Sequence, residues 1–379
     1  MDKKLIRLIL ILVVLIGASG IMLWLKSSQK SFEGKDNNFA VPNPDLIDRI
    51  LITDRDGNQA DMVSVDRYWL VAGMKVNAQA KALMLRFAPK SSVYRGGYWV
   101  VNNEFLIRPE MIGLLLETMK KIQVMEPLSD MGAENARKSM IQDSKKVEIF
   151  MGEDEPVKIY HIGDGAPNTY GTYTVMESDG VMADQIYLTH IPNFAGYLKE
   201  RYISDMIELR DRAVFRYLPE NIQKVSVRYP EQVGTSFEIS KTSEGSFEII
   251  NTDRPDLGVQ VLDQLIATNY FSNYSSISIE SYLDHLIDKD TTNIGPMFAV
   301  ISVTDNTGEE RSISLFQKPV TQKTKSQFDE AGNPMLYDPD RFYGEMNNGE
   351  DFIVAQYFVF GKLLKSYYFF LPEQAETPI

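Results

Sequence analysis

The residue types that most often do chemistry are sparse in this chain of 379 residues. Cysteine is absent, and the three histidines are His161, His190 and His285. Zinc sites take cysteine, histidine and carboxylate ligands at short spacings, whereas these histidines are dispersed along the chain. A chain without cysteine also lacks a thiolate nucleophile and a disulfide framework. The sequence therefore predicts no metal site and no cysteine chemistry.

Two short glycine-containing segments invite comparison with ligand-binding loops. Asp54-Arg55-Asp56-Gly57-Asn58 carries carboxylates, but an EF-hand loop needs glutamate at its twelfth position, where this chain has Val65. A β-hairpin turn explains the Asp-Gly pair, because glycine adopts positive φ at little cost. Gly163-Asp164-Gly165 lacks the third glycine of a dinucleotide-binding loop, so it is interpreted as a turn.

Patterns typical of enzymes are missing as well. Neither the serine-hydrolase pattern Gly-x-Ser-x-Gly nor the phosphate-binding pattern Gly-x-x-x-x-Gly-Lys-Ser/Thr occurs in the sequence. The formal net charge of −13 argues against a general nucleic-acid-binding protein, which needs a basic surface for phosphates. We therefore expect a protein without enzymatic activity and without a cofactor.

The side chains that stand out suit binding to another molecule. Arg210, Asp211 and Arg212 either form an internal salt-bridge cluster or bind an acidic partner or head group through the planar guanidinium. Tyr68 and Trp69 are the best aromatic anchors for a partner, with core packing as the alternative. The aromatic residues at 357–360 and 367–370 have the same two interpretations.

The amino terminus has the pattern of a membrane anchor. Residues 8–25 contain no charged side chain, and a helix of about 20 residues spans the roughly 30 Å of bilayer hydrocarbon. A cleaved signal peptide ending near Gly17–Gly20 is the alternative, but the apolar run continues past it. Residues 1–26 are therefore predicted to be a signal anchor in the cytoplasmic membrane. Their basic first residues stay in the cytoplasm, and the acidic body is exported to the periplasm.

The rest of the chain contains an internal repeat. Alternating apolar and polar residues match between Ile47–Ile52 and Ile222–Val227, and later strands follow in the same order. The predicted boundaries are a linker at 27–44, a first lobe at 45–205, a junction at 206–217, a second lobe at 218–371 and a tail at 372–379. The fold class is α+β, with an amino-terminal transmembrane helix before two repeated lobes with antiparallel sheets.

Each lobe is predicted to contain a helix that begins with proline. Arg108-Pro109-Glu110-Met111 matches Arg254-Pro255-Asp256-Leu257. Proline followed by an acidic residue is typical of a helix start. The same offset pairs Leu115 with Val261, so both side chains are expected on the buried face of their helix.

The two copies differ by one insertion each. Asp66–Arg95 belongs to the first lobe and Lys318–Arg341 to the second, where glycine and proline indicate a mobile loop. Loops on a rigid scaffold commonly carry recognition, so these insertions are expected to provide partner specificity.

Several of these features together resemble the bacterial family named domain of unknown function 4340. They are the amino-terminal span, the Asp-Gly turn, Tyr98-Trp99, the Arg108-Pro109 helix, Gly171-Thr172-Tyr173 and Arg210-Asp211-Arg212. The resemblance covers nearly the whole exported region. It implies no catalytic residues, because the family has no established activity. Its members resemble, and often accompany, auxiliary membrane proteins of ABC-type transport systems, including gliding-motility types.

The sequence thus favours a non-enzymatic, membrane-anchored extracytoplasmic accessory or scaffold protein of an envelope complex. An ABC-type transport, gliding or secretion system is the favoured setting, with other envelope proteins as partners. The alternative is an extracytoplasmic binding module that holds a small ligand or a lipid between its two lobes.

Overall fold

The computed structural model describes residues 37–65, 98–167, 171–283 and 293–371. The chain divides into two compact units, Met1–Asp211 and Arg212–Ile379, and this boundary falls inside the predicted junction. Each unit is built on an antiparallel sheet with a few helices, which confirms the α+β class with two sheet lobes. The predicted anchor at 1–26 lies outside the described residues. No helix among those described is long and apolar enough to cross a membrane.

The first unit pairs its strands antiparallel in one large sheet. The strands are β1 (Arg49–Thr53), β2 (Gln59–Val65), β3 (Tyr98–Val101), β4 (Phe105–Leu106), β5 (Gln123–Pro127), β6 (Lys145–Phe150), β7 (Lys158–Gly165), β8 (Thr172–Ser178), β9 (Val181–Met182) and β10 (Tyr187–His190). The helices are α1 (Pro109–Lys121), α2 (Asp130–Asp143) and α3 (Met206–Leu209). The strand order is β4-β3-β2-β1-β6-β7-β8-β10-β5, with β9 paired to β8.

One face of this sheet forms the main core of the first unit. Ile50 and Ile52 are fully buried and alternate along β1 with the partly buried Arg49, Leu51 and Thr53. Helix α1 packs on this face through Leu115 and Met119, which are at most 2% exposed. Pro109 opens the helix at a position where an N–H group has no intrahelical partner. The prediction of a proline-initiated, half-buried helix is confirmed here.

The opposite face of the same sheet carries helix α2. Ala136 and Met140 of α2 form a second apolar cluster with Val175 of β8. Gly163 permits this approach, because a Cβ at that position would lie 2.2 Å from the Met140 sulfur. Residues 163–165 lie in strand β7, so the predicted turn is wrong, and close packing explains the first of its glycines.

The second unit has a sheet of similar size. Its strands are β11 (Ala213–Phe215), β12 (Ile222–Arg228), β13 (Phe237–Lys241), β14 (Phe247–Asn251), β15 (Gln260–Leu262), β16 (Ile277–Ser278), β17 (Ser281–Tyr282), β18 (Met297–Asp305), β19 (Glu310–Pro319), β20 (Tyr337–Met346) and β21 (Asp351–Gln356). The helices are α4 (Gln264–Ser272) and α5 (Tyr357–Phe360). The strand order is β15-β14-β13-β12-β18-β19-β20-β21-β17, and β11 pairs with β16 separately.

Both sheets connect their strands in the same way. In each unit the first four strands of the sheet form a meander that ends at one edge. The chain then passes through a helix, α1 or α4, to a fifth strand at the opposite edge. Four further strands fill the space between the first and the fifth. This shared order is what the internal repeat predicts, and it makes β4 equivalent to β15 and α1 equivalent to α4.

The predicted match between the Pro109 and Pro255 helices is wrong. Pro255–Leu257 is a single 3-10 turn that ends at Gly258, whose φ of 68° lies in the left-handed region. Helix α4 begins only at Gln264, where Asp263 accepts hydrogen bonds from the first backbone N–H groups. Val261 therefore lies in a strand and is 82% exposed, whereas Leu115 is buried as expected.

The insertion Lys318–Arg341 forms a hydrogen-bonded hairpin, where the sequence predicted a mobile loop. The N–H of Val320 donates to the carbonyl oxygen of Leu336 at 3.1 Å, across the base of the hairpin. At its tip the N–H of Asp329 donates to the carbonyl oxygen of Asn333 at 2.9 Å. These backbone hydrogen bonds extend the pairing of β19 with β20 beyond the ends of the two strands. The other insertion, Asp66–Arg95, lies outside the described residues.

Candidate functional site

Arg210 and Asp211 are buried side chains at the end of the first unit, with exposures of 7% and 8%. The Arg210 guanidinium carbon lies 4.0 Å from the centroid of the Phe105 ring. The N–H of Asp211 donates to the carbonyl oxygen of Leu106 at 2.7 Å. Burial leaves little of the Arg210 guanidinium in solvent for an acidic partner, and its contact with the Phe105 ring is a packing interaction that the sequence did not predict.

The other predicted interaction residues are Arg212, Tyr68 and Trp69. Arg212 begins the second unit, where its carbonyl oxygen accepts a hydrogen bond from the N–H of Ile279 at 2.9 Å. Its side chain is partly buried. Tyr68 and Trp69 lie outside the described residues, so their role as anchors stays a prediction.

Three titratable side chains meet on adjacent strands of the first unit. Glu177 on β8 lies 2.8 Å from the ammonium of Lys146 on β6 and 2.5 Å from Nε2 of His161 on β7. Burial alone would raise the pKa of Glu177, but hydrogen bonds from these two partners outweigh burial and hold the pKa below its ordinary value. The carboxylate therefore stays ionised between two partners. Sequence spacing could not reveal this cluster, because strand pairing brings its members together.

Lys199 is the centre of a second polar network, at the end of α2. Its ammonium lies 2.8 Å from carboxylate oxygens of both Asp143 and Asp164. Burial lowers the pKa of Lys199, but hydrogen bonds to the two carboxylates outweigh this and raise it. Ser139 donates a further hydrogen bond to Asp164 at 3.1 Å. Each charge of the network therefore has an opposite partner, and the network links α2 to β7.

The Asp-Gly segment forms the predicted hairpin turn between β1 and β2. Gly57 has φ of 84°, and the N–H of Asp54 donates to the carbonyl oxygen of Asn58 at 3.0 Å. The Asp54 carboxylate accepts hydrogen bonds from Asn58 within the turn and from the Ser204 hydroxyl, so both of its oxygens have a partner. Among the described residues, no group of three or more histidine or acidic side chains could hold a metal ion.

Several exposed apolar residues of the second unit surround strand β15. We call this group the β15 edge surface, and its members are the exposed apolar residues Leu257, Val259, Val261, Leu265 and Ile266. Val261 is 82% exposed and Leu265 is 69% exposed. Single exposed apolar side chains are ordinary, but several within ten consecutive positions indicate a contact surface.

Strand pairing explains why this segment is exposed. β15 is the last strand of its sheet and pairs only with β14, through Leu262 opposite Phe247 and Val261 opposite Glu248. Because successive side chains of a strand point to opposite faces, Leu262 enters the core while Val261 points to solvent. The outward backbone groups of β15 have no hydrogen-bond partner among the described residues.

The aromatic residues near the carboxy terminus divide between core and surface. Phe360, Tyr367 and Phe370 are at most 2% exposed, and the Phe370 ring lies 4.8 Å from the Phe237 ring. Phe358 is 94% exposed, and Tyr368 and Phe369 are more than half exposed. Core packing therefore applies to the three buried rings, and a partner-facing role stays a prediction for the three exposed ones.

No family model, no curated protein and no solved structure matches this chain. The surfaces and clusters described above are therefore the basis for assigning a function.

Proposed function

We propose that this protein is a non-enzymatic, membrane-anchored extracytoplasmic scaffold or accessory protein of an envelope complex. Its apolar amino-terminal run anchors it in the cytoplasmic membrane, and its acidic body lies in the periplasm. The resemblance to domain of unknown function 4340 supports an ABC-type transport, gliding or secretion system as the setting. The exposed apolar residues of the second unit suit a protein that acts by holding partners.

The observation that carries this proposal is the β15 edge surface. Val261 and Leu265 are each more than half exposed, and they belong to an ordered strand and a capped helix. Apolar side chains on rigid elements lose little conformational freedom when a partner covers them, so they contribute efficiently to binding. A partner that covers this surface removes apolar area from water, which favours association.

Affinity purification from membranes tests the scaffold role. The full-length chain carrying Val261→Lys is compared with the unchanged chain after extraction in mild detergent. A lysine in the centre of the β15 edge surface should reduce the yield of co-purifying envelope proteins by about tenfold, because a charge would be buried on binding. Val181→Lys is the matched control, since Val181 is 69% exposed in the short strand β9 of the other unit.

Two results would contradict the proposal. If the unchanged chain brings down no stoichiometric partner, or if Val261→Lys and Val181→Lys retain the same partners, the β15 edge surface does not dock an envelope protein. Topology is tested separately with protease added outside spheroplasts. Digestion of the body is expected, and protection of the body until the membrane is lysed would overturn the periplasmic location.

One observation favours the alternative of a lipid-binding or small-ligand-binding module. Tyr368 and Phe369 are exposed beside Lys365, whose ammonium lies 4.9 Å from the centroid of the Phe369 ring. Aromatic and lysine side chains together are typical of residues that sit at a membrane interface. This alternative predicts that anionic phospholipid vesicles raise the melting temperature of the protein, and that Phe369→Ser abolishes the effect.

A further inference from the structure

The equivalent sheet edge in the first unit shows what covers such a strand. β4 occupies the position that β15 has in the second unit. There the segment Leu209–Asp211 lies antiparallel along the edge, bridging Ile107 to Arg210. The N–H of Asp211 donates to the Leu106 carbonyl oxygen at 2.7 Å, and the N–H of Arg108 donates to the Leu209 carbonyl oxygen at 2.9 Å. An extended segment therefore satisfies the outward backbone groups of this edge.

The same edge of the second unit differs from this one. Among the described residues, no segment pairs with the outer side of Gln260–Leu262. Natural sheets commonly protect an open edge with lysine, proline or an inward-pointing charge. β15 has none of these, and it carries an outward Val261 instead. Its unpaired backbone and apolar side chain form a template for one more strand.

The charged residues around β15 indicate which kind of segment could bind there. Glu248 lies directly opposite Val261 on β14, and Asp263 follows the strand at the start of α4. Neither carboxylate forms an ion pair within the described residues, whereas Asp256 is paired with Arg254 at 2.7 Å. A segment with basic residues next to its apolar core would neutralise both unpaired carboxylates. A second copy of this chain would bring a formal net charge of −13 to the same place.

We propose that the outer side of β15 binds an extended segment of a partner protein as an additional strand, with alternating apolar residues in its centre and basic residues at its ends. The inference rests on the proposed scaffold function and names the kind of partner that it holds. Backbone hydrogen bonds to Gln260–Leu262 supply affinity without regard to sequence. Val261 and its neighbours in the β15 edge surface select apolar side chains, and Asp263 at the end of the strand selects a basic residue at one end of the segment.

Synthetic peptides test this inference on the full-length protein in mild detergent. The probe is a fluorescent peptide with valine and threonine alternating between two lysines at each end. Its matched controls carry glutamate in place of lysine, or proline in place of the central valine. Binding of the lysine peptide is expected to slow hydrogen exchange at Gln260–Leu262. The glutamate peptide, the proline peptide and the Val261→Lys protein should each bind about tenfold or more weakly, with Val181→Lys unchanged.

Each other outcome contradicts a stated part of the inference. Equal binding of the proline peptide would exclude backbone pairing, and equal binding of the glutamate peptide would exclude charge selection. Binding that appears only after deletion of residues 372–379 would assign the edge to the chain's own tail. A dimer that Val261→Lys dissociates in light scattering would assign it to a second copy. If Val261→Lys abolishes co-purification of partners while no peptide binds, the scaffold role stands and strand addition fails.

Discussion

Substitutions at Leu115 and Val261 should differ strongly in their effect on stability, although the sequence repeat equates the two positions. Leu115 is 2% exposed in α1, and Val261 is 82% exposed in β15. Truncating a buried leucine to alanine costs about 2–5 kcal/mol, because transfer free energy is lost and a cavity is left. Lysine at position 115 adds the cost of an unpaired buried charge. Lysine at position 261 should change the free energy of unfolding by no more than about 0.5 kcal/mol.

Urea unfolding of the purified variants measures this difference. Trp99 is 2% exposed in the first unit, so its fluorescence reports on the unit that contains Leu115, while circular dichroism reports on both sheets. A loss of about 3 kcal/mol moves the unfolding midpoint of a small domain by about 1–3 M urea. Leu115→Ala should show such a shift and Val261→Lys should not. Comparable losses at both positions would mean that Val261 lies on a buried helix face, and the assignment of β15 as an open edge would fail.

Three further predictions concern buried polar groups. Burial lowers the pKa of Lys158 to about 8 from 10.5, so the unfolded chain binds more protons between these values. The unfolding free energy of the unchanged protein should therefore rise across that pH window relative to Lys158→Met. Glu177→Gln should cost stability at pH 7, because hydrogen bonding outweighs burial and lowers the Glu177 pKa, and the cost should shrink as pH falls below 4.5. Tyr270→Phe removes a 2.7 Å hydrogen bond to a buried carbonyl and should cost about 1–3 kcal/mol by thermal unfolding, whereas Tyr368→Phe on the surface should be neutral.

Local patterns predicted much of each sheet but not the edges. The alternation around Ile50 and the Asp-Gly turn at Gly57 identified the β1–β2 hairpin, because both signals depend on neighbouring residues only. The helix at Pro109 was found for the same reason. The second helix was misplaced because Pro255 occurs in a short turn, and the left-handed Gly258 separates that turn from α4. A fixed sequence offset cannot reveal such a gap.

Contacts between distant residues could not be predicted from spacing. Lys146, His161 and Glu177 meet only after β6, β7 and β8 pair in register. The same limit applies to Arg210, whose ring partner Phe105 lies about a hundred positions earlier in the chain. The sequence around Arg210 is compatible with an internal salt bridge and with binding to an acidic partner. Its low exposure is known only from the structure.

Among the described residues, the edge strand β15 of the second unit is uncovered, whereas its counterpart β4 in the first unit is covered. A repeated fold places the same edge strand in each copy, and every exposed edge is a potential site of unwanted pairing. In the first unit, the segment Leu209–Asp211 of the same chain covers this edge. The second keeps β15 to three residues, which limits indiscriminate pairing, but it surrounds the strand with exposed apolar side chains. A short strand with an apolar surround pairs weakly through its backbone alone, so stable binding requires a segment that also fits Val261, Leu265 and the nearby carboxylates. Because binding requires both backbone pairing and a fit to these side chains, the edge selects one kind of segment and does not pair with every exposed strand.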